Sequence, residues 1–232
     1  GLGGSWGRVS AGRHYTLIHD ILSMRAYDAL WVSNYAELGW YSGTQYTLRR
    51  DNAIRYLGRV NQIEVGFMYQ TNERGVKNSH SVMAIVPVGG LDIALAHETD
   101  HTADTELRAS LLALRYTFNS GTSVHAYTLQ SRAQGGLDKK DQLYSLGVVH
   151  PVSPRTTLFG SVYYNRSKAN GSGHRNAFAV RAQYALSKRT FIYAEADHAR
   201  VRGISVADFN DPNNAEPNTK RSSFSIGYRH LF

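Results

Sequence analysis

The segment at 97–101, His97-Glu98-Thr99-Asp100-His101, is the stretch of this 232-residue chain whose residue types could most directly do chemistry. On an α-helix, H-E-x-x-H sets two imidazoles on one face for a zinc ion, with the glutamate beside them as general base. Here the motif follows the alternating strand-like run 91–96 and leads into Thr-Ala-Asp-Thr, a loop composition, with no third ligand segment downstream. It therefore reads as an exposed polar loop, and no metal is implied. The absence of cysteine removes thiol nucleophiles, disulfides, Cys-ligated zinc and iron–sulfur clusters. No serine–histidine spacing singles out a hydrolytic pair. Twenty-six Lys and Arg against 18 Asp and Glu leave a net charge of +8. That charge is scattered over loops and alternating positions rather than gathered on one stripe, which argues against nucleic acid. No reaction and no cofactor follow from these residues.

The elements that carry them repeat with period two. Ile63, Val65, Phe67 and Tyr69 alternate with Glu64, Gly66 and Met68; Leu91, Ile93 and Leu95 alternate with Asp92, Ala94 and Ala96. Phe178, Val180, Ala182 and Tyr184 behave likewise, as do Phe224, Ile226, Tyr228, His230 and Phe232. Such alternation gives each segment one apolar and one wet face, the mark of a strand. About twelve strands are expected, starting near Trp6, Asp51, Ile63, Ser81, Leu91, Glu106, Thr122, Gln142, Thr156, Ala177, Thr190 and Arg221. All five prolines (Pro87, Pro151, Pro154, Pro212, Pro217) fall in the expected connections, as ladder bonding favours. The fold class is all-β.

Short turns near 57–62, 87–90, 118–121, 151–155 and 185–189 alternate with longer polar loops near 70–79, 97–105, 131–141, 166–176 and 199–220. The longest connection is 16–49. A spacing of 34 residues aligns segments starting at Tyr116, His150 and Tyr184, each a strand end, a tight turn, a threonine and the next strand. The repeat unit is a β-hairpin, because the alternation excludes a helical solenoid.

No apolar run approaches a membrane helix, the best being 82–88. No charged-then-apolar leader opens the chain, so it reads as mature, cytoplasmic or truncated. A soluble β-sandwich would also alternate. An inside-out barrel fits better: strands of about ten residues cross a bilayer at a tilt, and the tyrosines gather near strand ends, where aromatic girdles lie. The other face is charged or tiny (Arg55, Glu64, Asp92, Arg115, Arg181, Arg229, Gly66, Gly227) and suits a hydrated lumen. The expectation is a transmembrane antiparallel up-and-down β-barrel.

The closing segment 224–232, Phe-Ser-Ile-Gly-Tyr-Arg-His-Leu-Phe, resembles the last strand of Gram-negative outer-membrane barrels, and its Gly-Tyr-Arg-His-x-Phe form is similar to the β-proteobacterial general diffusion porins. Three other segments carry the same resemblance: 4–16 (Gly-Ser-Trp-Gly-Arg-Val-Ser-Ala-Gly-Arg-His-Tyr-Thr), 50–56 (Arg-Asp-Asn-Ala-Ile-Arg-Tyr) and the Leu-Ser-Lys-Arg-Thr turn at 186–190. Leu231 departs from it, since a basic residue is usual there. The resemblance implies a barrel of about sixteen strands whose fifth is similar to the Gly-Arg-His-Tyr-Thr segment, so the first four are expected to be absent here. It implies one porin domain over 1–232, the C-terminal part of the full barrel. It further implies the outer membrane as location, a homotrimer embedded in outer-membrane lipid, and small hydrophilic solutes and ions as partners. Tyr228, His230 and Phe232 would be the barrel-assembly signal.

In that family the connection after the fifth strand folds into the barrel and narrows the pore. The corresponding constriction loop is 17–48, with Asp20, Asp28 and Glu37 as its acids. A basic ladder of Arg13, Arg49, Arg50 and Arg55 would face it. A transverse field between such rows sorts ions by sign, and arginine suits it because its guanidinium is planar and keeps its charge. The residues alone equally allow 17–31 as an amphipathic surface helix (Leu17, Ile18, Ile21, Leu22), with Arg49 and Arg50 as solvated loop charges. Glu64, Asp92, Arg115, Arg181 and Arg229 would line the lumen, where Glu195 and Asp197 oppose the arginines without a clear excess of either sign. The function implied is a passive, weakly selective channel and not an enzyme. The alternatives are a monomeric twelve-stranded channel specific for acidic oligosaccharides and an outer-membrane barrel hydrolase, either a phospholipase or a metalloprotease acting through 97–101.

Overall fold

The computed structural model describes residues 1–31, 46–71, 77–135, 138–169, 171–203 and 220–231. Among them, thirteen strands follow one another: β1 (Leu2–Gly4), β2 (Gly7–Tyr15), β3 (Arg49–Val60), β4 (Ile63–Gln70), β5 (Ser79–Val88), β6 (Leu91–His101), β7 (Thr105–Thr117), β8 (Ser123–Gly135), β9 (Lys139–Pro151), β10 (Thr156–Ala169), β11 (Gly171–Ala185), β12 (Thr190–Gly203) and β13 (Lys220–His230). They form one sheet in sequence order, each strand antiparallel to the next. No ladder among the described residues joins β1 to β13.

Three expectations are corrected. A short β1 precedes the first expected strand; with two glycines in three residues it carries no alternation to read. Pro87 pairs with Asp92 and Pro151 with Thr157, so both lie at strand ends rather than in connections; a terminal position needs no ladder N–H from them. The polar segments 97–101, 131–135, 166–169 and 171–176, expected as loops, belong to β6, β8, β10 and β11. Backbone pairing does not depend on side-chain polarity, so the ladders run on past the apolar band, and the β6–β7 hairpin closes tightly at 102–104.

The 34-residue repeat is a turn. Phe118, Val152 and Leu186 each donate a backbone N–H to the carbonyl four residues on, at Thr122, Thr156 and Thr190. In the last two, a serine hydroxyl (Ser153, Ser187) accepts from the N–H groups two and three residues ahead, a local bond that favours turns over strand.

Alternation sorts the two faces as the residues require. Leu95, Leu112, Leu146, Val162, Phe178 and Val180 point outward and stay exposed. The inward positions carry small, polar or charged groups: Gly66, Ala94, Ala113, Ser131, Ser145, Ser161, Arg181 and Glu195. On the inner face, a helical turn α1 (Leu17–His19) continues as a π-helical turn (Asp20–Met24). Leu17, Ile18, Ile21, Leu22 and Leu30 are fully buried there against Met68, Met83, Leu111, Leu129 and Leu143 of the wall. The amphipathic helix is therefore interior, not superficial. Gly147 lets the chain approach: a Cβ on it would stand 2.6 Å from the Ala29 methyl and 3.0 Å from the Gly160 carbonyl oxygen.

Two outcomes follow. Val162→Arg on the apolar outer face should cost about 2–4 kcal/mol in lipid vesicles, read from urea unfolding. Gly147→Val should unseat the inner segment without dissolving the sheet, exposing Arg25 to trypsin while the heat-modified mobility on gels stays native.

Candidate functional site

The inner segment is held by acids and arginines that the strand alternation turns inward. At its start, the Ile18 N–H donates to Glu98 Oε1 (2.8 Å), which satisfies one of the open amides of the helical turn. Glu98 is fully buried on β6. Its other oxygen lies 3.8 Å from Arg50, whose Nε donates to Asp100 (2.6 Å) and Nη1 to Ser81 (3.1 Å). Arg50 is itself fully buried. At the far end, Asp28 accepts from the hydroxyls of Tyr127 and Tyr163, both at 3.0 Å, and from the Leu30 N–H at 2.9 Å.

Between these anchors lies a mixed-charge strip. Asp20 accepts from Arg55 Nη1 at 2.8 Å and sits 3.5 Å from Arg25. Arg25 in turn pairs with Glu64 through Nε and Nη2. Arg115 donates to Asp92 (2.8 Å) and to the Arg25 carbonyl (2.7 Å), and its guanidinium lies 4.8 Å from the Tyr27 ring centre. Arg25, Tyr27, Glu64, Asp92 and Arg115 border one cavity of about 380 Å³, open towards the short-turn rim at Asn61 and Gln62. Across the inner face, Arg181 pairs with Glu195 (3.2 Å) and stacks 3.9 Å from the Tyr193 ring centre.

Of the expected constriction residues, the structure thus brings Asp20 and Arg55 together. Asp28 is on the same segment but is bound by tyrosines. Arg50 is turned to Glu98 and Asp100 rather than to the loop acids. Arg13 meets Asp51 at 3.3 Å, both well exposed, beside the irregular register between Gly12 and His14. Arg49 is exposed and covers the Tyr15 ring at 4.4 Å. The bulge shifts the parity of β3, so that Arg50 rather than Arg49 shares the inner face with Arg55. Glu37 and Phe232 lie outside the described residues. Glu64, Asp92, Arg115, Arg181 and Arg229 occupy inward register positions; Tyr228 faces outward, and His230 accepts or donates at Thr190 Oγ1 (2.9 Å).

Sequence reasoning missed Arg25, Glu98 and Asp100. Glu98 and Asp100 were concealed in the H-E-x-x-H pattern, read as a loop. In β6 the motif is extended, so His97 and His101 stand about 13 Å apart along the strand and Glu98 points to the opposite face. The even numbering of Asp92, Ala94, Ala96, Glu98 and Asp100 was the signal that placed them together on the inner face.

Burial also sets protonation on the inner segment. His19, stacked 4.3 Å from Tyr15, is pushed down to about 4 by desolvation, assisted by Arg49. Asp20 is raised by its burial, against the pull of Arg55 and Arg25, and burial pushes Tyr27 up to about 12. For His19 the unfolded chain takes a proton near 6.5 and the folded one only near 4. The unfolded state therefore binds more protons in that window, and stability falls as pH drops through it. His19→Phe should flatten the pH dependence of the urea midpoint between those two values. Arg50→Met should cost about 3–5 kcal/mol by stranding two buried carboxylates, whereas Arg13→Met should stay within about 0.5 kcal/mol, both read from equilibrium unfolding.

Known proteins share this fold. The anion-selective porin of Comamonas acidovorans superposes with a TM-score of 0.76 at 20% identity, covering 99% of this chain and 75% of that one. OmpT of Vibrio cholerae, as its loop L8 deletion mutant, gives 0.76 at 15% identity over 97% of this chain and 76% of its own. OmpF of Salmonella typhi gives 0.74 at 13% identity, with 98% and 75% covered. No curated protein matches at the sequence level. A Gram-negative porin family model matches residues 1–204. With that match and a wall that is apolar outside and charged within, the chain belongs to the Gram-negative porin family and is a passive diffusion channel of the outer membrane.

Proposed function

We propose that the 17–48 connection is the constriction of this channel and that the strip Asp20, Arg25, Arg55, Glu64, Asp92 and Arg115 sets its ion preference. The single observation that carries this reading is the cavity bordered by Arg25, Glu64, Asp92 and Arg115, where the inner segment meets the wall. Cations and anions alternate within a few ångströms there, so fields of both signs act on a passing ion. The result is weak selectivity rather than a filter for one sign. The preference is carried by Arg25, Arg55 and Arg115; Arg13, Arg49 and Arg50 do not contribute, because each is engaged elsewhere. Water and small hydrophilic solutes pass beside the strip, and no covalent chemistry takes place: in a strand, the two histidines of 97–101 and the glutamate between them face opposite ways. The protein works as a homotrimer, a reading supported by the trimer form in which Vibrio cholerae OmpT is known.

In a planar bilayer, conductance should be ohmic and the reversal potential in a salt gradient small. Arg25→Gln, Arg55→Gln and Arg115→Gln together should shift that potential towards cations. Asp20→Asn, Glu64→Gln and Asp92→Asn should shift it towards anions. If neither set moves it while Arg13→Gln with Arg49→Gln does, the constriction lies elsewhere. Ester or peptide hydrolysis that disappears on changing His97 or a single serine would overturn the channel-only reading.

A further inference from the structure

Near the short-turn end of the inner wall, β12 carries two aromatic rings on a face that is otherwise small, polar or charged. Phe191 and Tyr193 both point inward there and both are partly exposed. Other inward rings have structural work: Tyr127 and Tyr163 hold Asp28, and Phe159 packs against the buried cluster around the inner segment. Among the described residues, Phe191 does neither. Tyr193 is fixed in place. The Arg181 guanidinium lies 3.9 Å from its ring centre, and a Cβ added at Gly227 would collide with its hydroxyl. Arg181 is held in turn by Glu195 at 3.2 Å and donates to Gln183 Oε1 at 3.1 Å. Its guanidinium stands 5.9 Å from the Phe191 ring centre and walls that ring on one side. A phenyl ring left open to a hydrated lumen loses free energy that only an apolar partner recovers.

The charge beside the ring identifies the partner. Arg229 lies directly opposite Phe191 on β13 and is exposed. Among the described residues, no ion pair engages it. Lys188 and Arg189 are exposed in the turn below, which is tied to the end of β13 because the Leu231 N–H donates to the Arg189 carbonyl at 2.8 Å. No Asp or Glu occurs in 151–157, 183–191 or 226–232, the stretches that form this part of the rim. Glu195, further along β12, is engaged by Arg181 and by Ser225 Oγ at 3.1 Å. This side of the mouth is therefore cationic, and its field draws anions. Paired Cα atoms on neighbouring strands stand about 4.5–5.5 Å apart, the scale of one aromatic ring and the carboxylate it carries.

We propose that Phe191 and Arg229 form a binding site for aromatic carboxylates passing through the channel, the solute's ring on Phe191 and its carboxylate on the Arg229 guanidinium. Aromatic rings pair in offset or edge-to-face contact, and a guanidinium takes a carboxylate by charge-assisted hydrogen bonds, often two at once. A small inorganic anion would use Arg229 and leave the ring bare. A neutral aromatic would use the ring and leave the cation unanswered, and an aromatic cation would be repelled by Arg229, Lys188 and Arg189. The site belongs to β12 and β13, apart from the Asp20–Arg115 strip, and does not depend on where the constriction lies.

The test places the full protein in a planar bilayer in potassium chloride and titrates sodium benzoate, sodium acetate or benzyl alcohol while the chloride current is recorded. The half-blocking concentration of benzoate should be at least about fivefold below that of acetate, and benzyl alcohol should block no better than acetate. Phe191→Leu should weaken the benzoate block about fivefold and leave acetate unchanged, while Phe191→Tyr keeps it. Arg229→Gln should weaken the benzoate block about tenfold. Arg25→Gln, Arg55→Gln and Arg115→Gln together should leave the ratio of benzoate to acetate as it is, so failure of the constriction reading and failure of this one are told apart. If Arg229→Gln does not reach native mobility on gels, Phe191→Leu on β12 decides alone. Benzoate and acetate acting alike, benzyl alcohol matching benzoate, or a ratio that survives Phe191→Leu overturns the proposal. A ratio lost only in the constriction variant would move the aromatic acid to that strip and overturn it as well.

Discussion

Hydrocarbon offers no partner to a peptide N–H or carbonyl, and everything else in this molecule follows from that constraint. Each strand from β2 to β12 is bonded on both sides, so the backbone of those strands satisfies itself. Once the ladder is complete, the side chains on its two faces answer to different solvents. The outer ones can be Leu, Val and Phe because lipid receives them, and the inner ones must be small, polar or paired. The usual order of a soluble protein is inverted, with exposed Ile226 and Phe224 and a buried Arg181–Glu195 pair.

That inversion leaves a difficulty inside. A segment folded into the lumen meets a wall of charged and small residues, with little apolar surface to bind. The chain solves it locally. Leu17, Ile18, Ile21 and Leu22 find a patch built of methionines, leucines and alanines, and beyond that patch the segment is tied by directed bonds. Glu98 takes an amide of the first turn while Arg50 offsets its charge, and Asp28 is received by two tyrosine hydroxyls. Gly147 removes the one methyl that would hold Ala29 off the wall. Positioning and electrostatics are thus the same set of contacts: the arginines and acids that fix the segment also set the field beside it.

How much of this was legible before the fold was known differs residue by residue. The period-two alternation identified the strands from Ile63 onward and their inward partners Glu64, Asp92, Arg115 and Arg181, because a strand's geometry converts parity into side. It failed where parity was interrupted or masked by composition. The bulge at Gly12 and His14 sent Arg13 to Asp51 and left Arg50 facing β6. The polar ends of β6, β8, β10 and β11 looked like loops because hydropathy reports the solvent a side chain meets, not whether its backbone is paired. Within one such end, Glu98 and Asp100 were concealed in a metal-binding spelling that only a helix could use.

The sequence by itself determined the all-β class, the up-and-down order, the face each alternating residue takes and the opposition of apolar exterior to charged interior, since all of these follow from local periodicity and turn chemistry. Its mean hydropathy of −0.39 concealed the result, because residues facing lipid and water cancel in an average. Tertiary structure alone decided which arginine meets which acid and that 17–31 packs inside the sheet. These depend on register between strands and on the curvature of the wall, and neither is written in any single stretch of chain.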